Sequence, residues 1–195
     1  YLRLLKYDLA EKYIKESLQI LLQQYGEKHP EYIGDLYQLA MVCQGKKDYT
    51  ASLRVSYKLI EANCGLKTTE INKEWGSRLA NANYISIDYM ISVLEVLYEV
   101  IAFAPDKNLN ESLQIELVGT DSMVSEKQLI IANLGMDLLK NTRDAFISSE
   151  DKLRRLSASS DWVFRSLEIL DPVNDVELAF DLAEHSKSVL LMDAV

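Results

Sequence analysis

The sequence predicts an all-α fold built from antiparallel helix pairs, and three observations predict it. Over most of the 195 residues the apolar positions recur at three- and four-residue steps, the period of a helix face. Between residues 25 and 60 two such stretches are joined by a short polar turn. Members of that pair then reappear in the same order at one constant offset: Leu39, Ala40, Asp48, Tyr49, Ser52 and Ala62 return as Leu79, Ala80, Asp88, Tyr89, Ser92 and Ala102.

In the central pair, Leu36, Leu39, Ala40 and Cys43 share one face of the first helix. His29-Pro30 opens it, because proline has no amide to lose in a first turn and would break a hydrogen bond deeper in. Asp48 opens the second helix by accepting from a first-turn amide, and Tyr49, Ser52, Val55 and Leu59 point inward from it. The small residues Ala40 and Ser52 fall where the two helices are expected to cross. Upstream, Tyr7, Ala10, Ile14 and Ser17 echo Tyr49, Ser52, Ser56 and Leu59, so residues 1–25 are expected to hold the second helix of an earlier pair. Tyr1 then falls late in a first helix, and further repeats are expected before it.

Pro105-Asp106 stops the downstream register. Residues 107–121 are read as a short helix capped by Asn110-Glu111-Ser112, although QIELV also alternates as a strand would. Ser125-Glu126-Lys127-Gln128 has the form of a capping box and predicts a new helix start. From there Ile131, Leu134, Leu138, Thr142 and Ala145, then Leu153, Leu156, Val163, Leu167 and Leu170, hold a helical stripe. One long helix, or two joined near Ser148-Ser149, would both fit. Asp171-Pro172 ends it, and Asn174 or Asp175 caps a last helix.

A helix-pair repeat of roughly 34 residues or slightly more, with this order of small and aromatic positions, resembles the tetratricopeptide family over residues 1–104. The linker YGEKHP followed by LYQLA resembles the longer repeat of kinesin light chains and many bacterial helical-repeat proteins. Tyr37 and Gln38 stand where kinesin light chains often carry the paired asparagines of their peptide groove. A second resemblance lies at the C-terminus. In AFDLAEHSKSVLLMDAV, the residues Ala179, Phe180, Ala183, Glu184, Ser186, Lys187, Leu190 and Leu191 resemble the segment that follows the repeats in bacterial proteins carrying a CHAT domain, a caspase-like cysteine peptidase module. Together these imply a tetratricopeptide-type α-solenoid at 1–104, a connecting segment at 105–124 and a helical extension at 125–195 leading to a further domain.

Composition narrows the function classes. Hydrophobic residues at 48% and charged residues at 26% are ordinary for a globular chain. A net charge of -9 without a Lys/Arg cluster argues against direct contact with nucleic acid, which needs clustered cations to displace counterions. Asp88, Glu95 and Glu99 interrupt the longest apolar run, so no membrane span is expected. Cys43 and Cys64 are too few for a metal site and read as reduced thiols of a cytoplasmic protein, Cys43 in the core. His29 belongs to a turn and His185 to a helix; neither has a nucleophile or orienting group beside it, so no catalytic residue, cofactor or metal is expected.

The resemblance implies an interaction scaffold or sensor that docks a protein or peptide on its concave face, or regulates a peptidase domain in a setting such as bacterial defence. The alternatives are a purely structural spacer and an adaptor unrelated to any peptidase. In such arrays the first helix of each pair lines the concave face, which implies Tyr37, Gln38 and Met41 in the groove, Asp35 at its rim, and Asn81 as the counterpart of Met41 in the next repeat.

Overall fold

The computed structural model describes residues 6–67, 73–103 and 121–141, with isolated helical positions between 164 and 184. Among these residues every regular element is a helix: α1 Tyr7–Tyr25, α2 Pro30–Gly45, α3 Tyr49–Cys64, α4 Lys73–Ala80, α5 Ile87–Phe103 and α6 Asp121–Asn141. No strand occurs among them. The readings at 105–120 and 142–163, and His185, lie outside the described residues.

The central hairpin forms for local reasons. His29 caps α2 with its own imidazole, Nδ1 accepting from the Glu31 amide at 3.3 Å, and Pro30 follows as the first helical residue. The Asp48 carboxylate accepts from the Ala51 amide at 3.0 Å and starts α3. Gly65 ends α3 with φ of 75°, a left-handed geometry that costs a residue with a Cβ and leaves glycine unstrained. Where α2 and α3 cross, Ala40 and Ser52 are fully buried, and the Ser52 hydroxyl donates to the Ala40 carbonyl at 3.0 Å. A hydroxyl this short satisfies itself on the opposing backbone, which is why a polar residue is tolerated at the crossing.

α1 runs antiparallel to α2. Tyr25 stacks on His29 at the hairpin end, ring centroids 4.7 Å apart. At the far end Lys46 lies 2.7 Å from Asp8 and 2.8 Å from Glu11.

α5 is the element that departs from the simple repeat. An added Cβ on Gly34 would stand 2.7 Å from the Tyr89 hydroxyl, Tyr37 hydrogen-bonds Ser92, and Gln44 Nε2 donates to Glu99 Oε2 at 2.5 Å. Each residue of α2 in this row meets the residue 55 positions on, at both ends of the contact. A constant positive offset arises only when two helices run parallel. α5 therefore lies beside α2 as its parallel neighbour, packs on α3 as well, and is covered on its other side by α6. One apolar core runs through the contacts, from Leu21 and Tyr32 through Ile60, Leu94 and Leu97 to Ile131 and Leu134.

Three expectations are corrected. Ala80, matched with Ala40 in sequence, is only half-buried, because α4 packs mainly on α6 and is not the close partner of α5 that α2 is of α3. Ser86 caps α5, its hydroxyl accepting from the Tyr89 amide at 3.3 Å, and Asp88, which repeats the Asp48 cap in sequence, lies inside the first turn. The helix containing Ser125 begins at Asp121, five residues before Glu126, the first helical residue that the capping-box pattern indicates. Serine inside a helix costs only about 0.5 kcal/mol, so a start signal there does not prevent continuation.

The parallel register predicts a change of sign. Gly34→Ala will lower stability in the native chain, where the half-buried Tyr89 fills the space. In a Tyr89→Leu background, equilibrium unfolding will show the same change stabilising by up to about 1 kcal/mol, the ordinary helix preference of Ala over Gly.

Glu11 supplies a pH dependence. Hydrogen bonds from Lys15, and next from Lys46, hold its carboxyl below the ordinary 4.5. A depressed folded value means that the stabilisation is complete above the unfolded value and is lost as pH falls through the folded one. Glu11→Gln is thus expected to cost about 0.2–1 kcal/mol at neutral pH. Thermal melts should show this difference closing as the pH falls below 4.5.

Candidate interaction surface

The surface is built on α2 by helix geometry. Gly34, Tyr37, Met41 and Gln44 recur at three- and four-residue steps and form a row turned to α5; Gln38 lies next to it on the open side. From α5, Tyr89, Ser92 and Glu99 meet that row in register, with Glu95 close to Tyr37.

Tyr37 is half-buried. Its ring lies 6.0 Å from that of Tyr89 in a tilted arrangement, an ordinary aromatic pair. Burial raises its phenol above the usual value, and the charges of Glu95 and Glu99 raise it further against the opposing hydrogen bond with Ser92. Tyr37 is therefore a packing residue between α2 and α5 as much as a surface one. Met41 packs against the same core with part of its thioether side open. Gln38 is half-buried and has no side-chain hydrogen bond among the described residues. Asp35 is half-buried with one buried carboxylate oxygen, Oδ2, that lacks a hydrogen-bond partner among the described residues.

Asn81 does not join these residues. It follows α4 directly, donates from Nδ2 to the Ser77 carbonyl at 2.9 Å, and lines a cleft of about 550 Å³ shared with α6. Tyr89, Ser92, Glu95 and Glu99 were not anticipated in the groove, because the repeat pattern assigns α5 to the second helix of a pair. The available signal was the length of the run 84–104, which is as apolar as a helix covered on several sides.

The arrangement offers aromatic faces, a thioether, carboxamides and carboxylates. Its neighbouring thiols are not activated. Cys43 is buried, and burial pushes its thiol up to about 11; burial also raises Cys64, whose Sγ donates to the Ile60 carbonyl at 3.1 Å. Neither thiol is poised as a thiolate. No three His, Cys, Asp or Glu side chains converge among the described residues. No helix among them is long and apolar enough to cross a membrane. No family model matches the chain, nor does any curated protein or solved structure.

The geometry separates packing from surface within one helix. Tyr37→Ala is expected to cost about 1–3 kcal/mol, less than a fully buried aromatic, and Tyr37→Phe less again. Gln44→Ala will cost about 1 kcal/mol through the lost bond to Glu99. Gln38→Ala will stay within about 0.5 kcal/mol of the native chain. Urea titrations of the four variants rank them.

Proposed function

We propose that this chain is a protein-interaction module, a tetratricopeptide-type α-solenoid in which α2 with α3 and α5 with α6 are successive helix pairs. The observation that carries this reading is the parallel packing of α2 on α5 at a constant offset of 55 residues. Parallel first helices, each backed by its own second helix, bring side chains of both onto one continuous surface. α1 stands to α2 as α3 stands to α5, which extends the pattern by one second helix. On this reading residues 66–86, with α4, are an insertion between pairs, and the spacing exceeds the usual repeat by that length.

The partner is a protein segment. Gln38 and Met41 are the α2 side chains left open for it, with Tyr37 contributing the edge of its ring. The acidic flank at Glu95 and Glu99, on a chain of net charge -9, favours a partner with basic residues there. The resemblance around Ala179 and Phe180 makes a cytoplasmic scaffold that regulates or presents a caspase-like peptidase the specific role proposed. Ala179, Phe180, Ala183 and Glu184 are helical, and Phe180 is 63% exposed. A second reading, a structural spacer, is favoured by the use of Tyr37 and Gln44 in packing α5.

The two readings part in one experiment. The native chain, Gln38→Arg, and the control Gln19→Arg on the exposed side of α1 are used to capture partners from the source organism, with melts run in parallel. The module reading expects a captured protein that Gln38→Arg loses at unchanged stability and Gln19→Arg retains. Capture that is equal for all three, or none at all, rejects the groove and leaves the spacer.

A further inference from the structure

The cleft between α4 and α6 lies apart from the α2 surface, and its chemistry points to its own ligand. Gly76 lets the two helices approach, since an added Cβ there would stand 3.1 Å from Ile130. Beyond that contact the walls part to enclose about 550 Å³, within the roughly 300–1,000 Å³ typical of ligand sites. Ala80 on α4 and Leu129, Ile130 and the almost fully buried Leu134 on α6 make the apolar part of the lining. A carboxamide stands on each wall, Asn81 directly after α4 and Asn133 on α6, and the carboxylate of Asp137 is one turn beyond Asn133.

We propose that this cleft binds an extended peptide segment through its backbone and one lysine or arginine side chain. A carboxamide presents a donor and an acceptor together, the complement of a peptide group. Asn133 has both unused among the described residues, and Asn81 keeps its carbonyl oxygen while Nδ2 is held by Ser77. Asp137 is the one charged group of the lining, is exposed, and has no ion pair or hydrogen bond among the described residues. A basic side chain lays its methylene stem on the half-buried Ile130 and reaches Asp137 with its head, so one residue uses both features. An anionic ligand meets only repulsion from Asp137 and from the net charge of -9. This inference rests on the reading of the chain as a protein-binding module and assigns a second site to it.

The probes are capped tripeptides, acetyl-Leu-Lys-Leu-amide and acetyl-Leu-Glu-Leu-amide, and putrescine, titrated into the whole 195-residue chain and followed by amide chemical shifts. The lysine peptide is expected to bind with a Kd of about 1 mM, as a short ligand with few anchors does, and to shift amides of residues 76–81 and 129–137. Asp137→Asn should weaken it about fivefold, the scale of one solvent-exposed ion pair. Asn133→Ala should weaken it as well, and the glutamate peptide and putrescine should leave these amides unmoved. Absence of shifts with the lysine peptide, shifts confined to α2 and α5, an unchanged affinity in Asp137→Asn, or equal binding of putrescine each overturns the proposal. If host capture is lost in Gln38→Arg while none of these peptides binds the cleft, the module reading stands and the cleft proposal alone falls.

Discussion

The structure depends on how α5 is seated, and one buried side chain does the seating. Asn63, 1% exposed near the end of α3, donates from Nδ2 to the Ser86 carbonyl and accepts at Oδ1 from the Ser86 amide, both at 2.8 Å. The Asn63 carbonyl also accepts from the Ile85 amide at 3.0 Å. Two backbone groups of the segment entering α5 are thus satisfied by a carboxamide, which has the donor and acceptor geometry of a peptide group. Buried backbone polar groups left unpaired would each cost about 1–3 kcal/mol, so the entry point of α5 has little freedom to slide.

With its entry pinned to the end of α3, α5 must run back along α3 and so parallel to α2. Close approach then requires Gly34, since any Cβ there meets Tyr89. Further along, Gln44 and Glu99 close the contact with a charge-assisted hydrogen bond. The preceding loop is closed on itself, the Tyr84 hydroxyl donating to the Leu79 carbonyl. α4 packs mainly on α6, and Leu79 anchors it in the common core.

That division bears on function. A helix surrounded by α1, α3 and α5 has few side chains left for a ligand, and α2 retains chiefly Gln38 and the open side of Met41. The α4–α6 cleft, by contrast, holds Asn133 and Asp137, whose side chains have no hydrogen-bond or ion-pair partner among the described residues. In the proposed solenoid the inserted helix thereby forms a cleft against one face of α6, apart from the α2 surface.

Much of the secondary structure was legible in the sequence, because its causes are local. Periodicity, Pro30, the Asp48 cap and Gly65 act within a few residues, and the all-helical reading and the central hairpin follow from them. The crossing of Ala40 on Ser52 was legible too, since small residues opposite one another leave a close approach as the economical packing. The placement of α5 was not. Tyr89 and Ser92 repeat Tyr49 and Ser52 in type, yet they face α2 in parallel because Asn63 binds Ser86 and Gly34 admits Tyr89, contacts between residues far apart in the chain. The same reason divides the candidate site. Tyr37, Gln38, Met41 and Asp35 share α2 and are neighbours through local spacing alone, whereas Asn81 was grouped with them by repeat register and tertiary packing carries it to α6. Local chemistry determined which segments are helices; the pairing of distant backbone and side-chain groups alone decided which helices are neighbours.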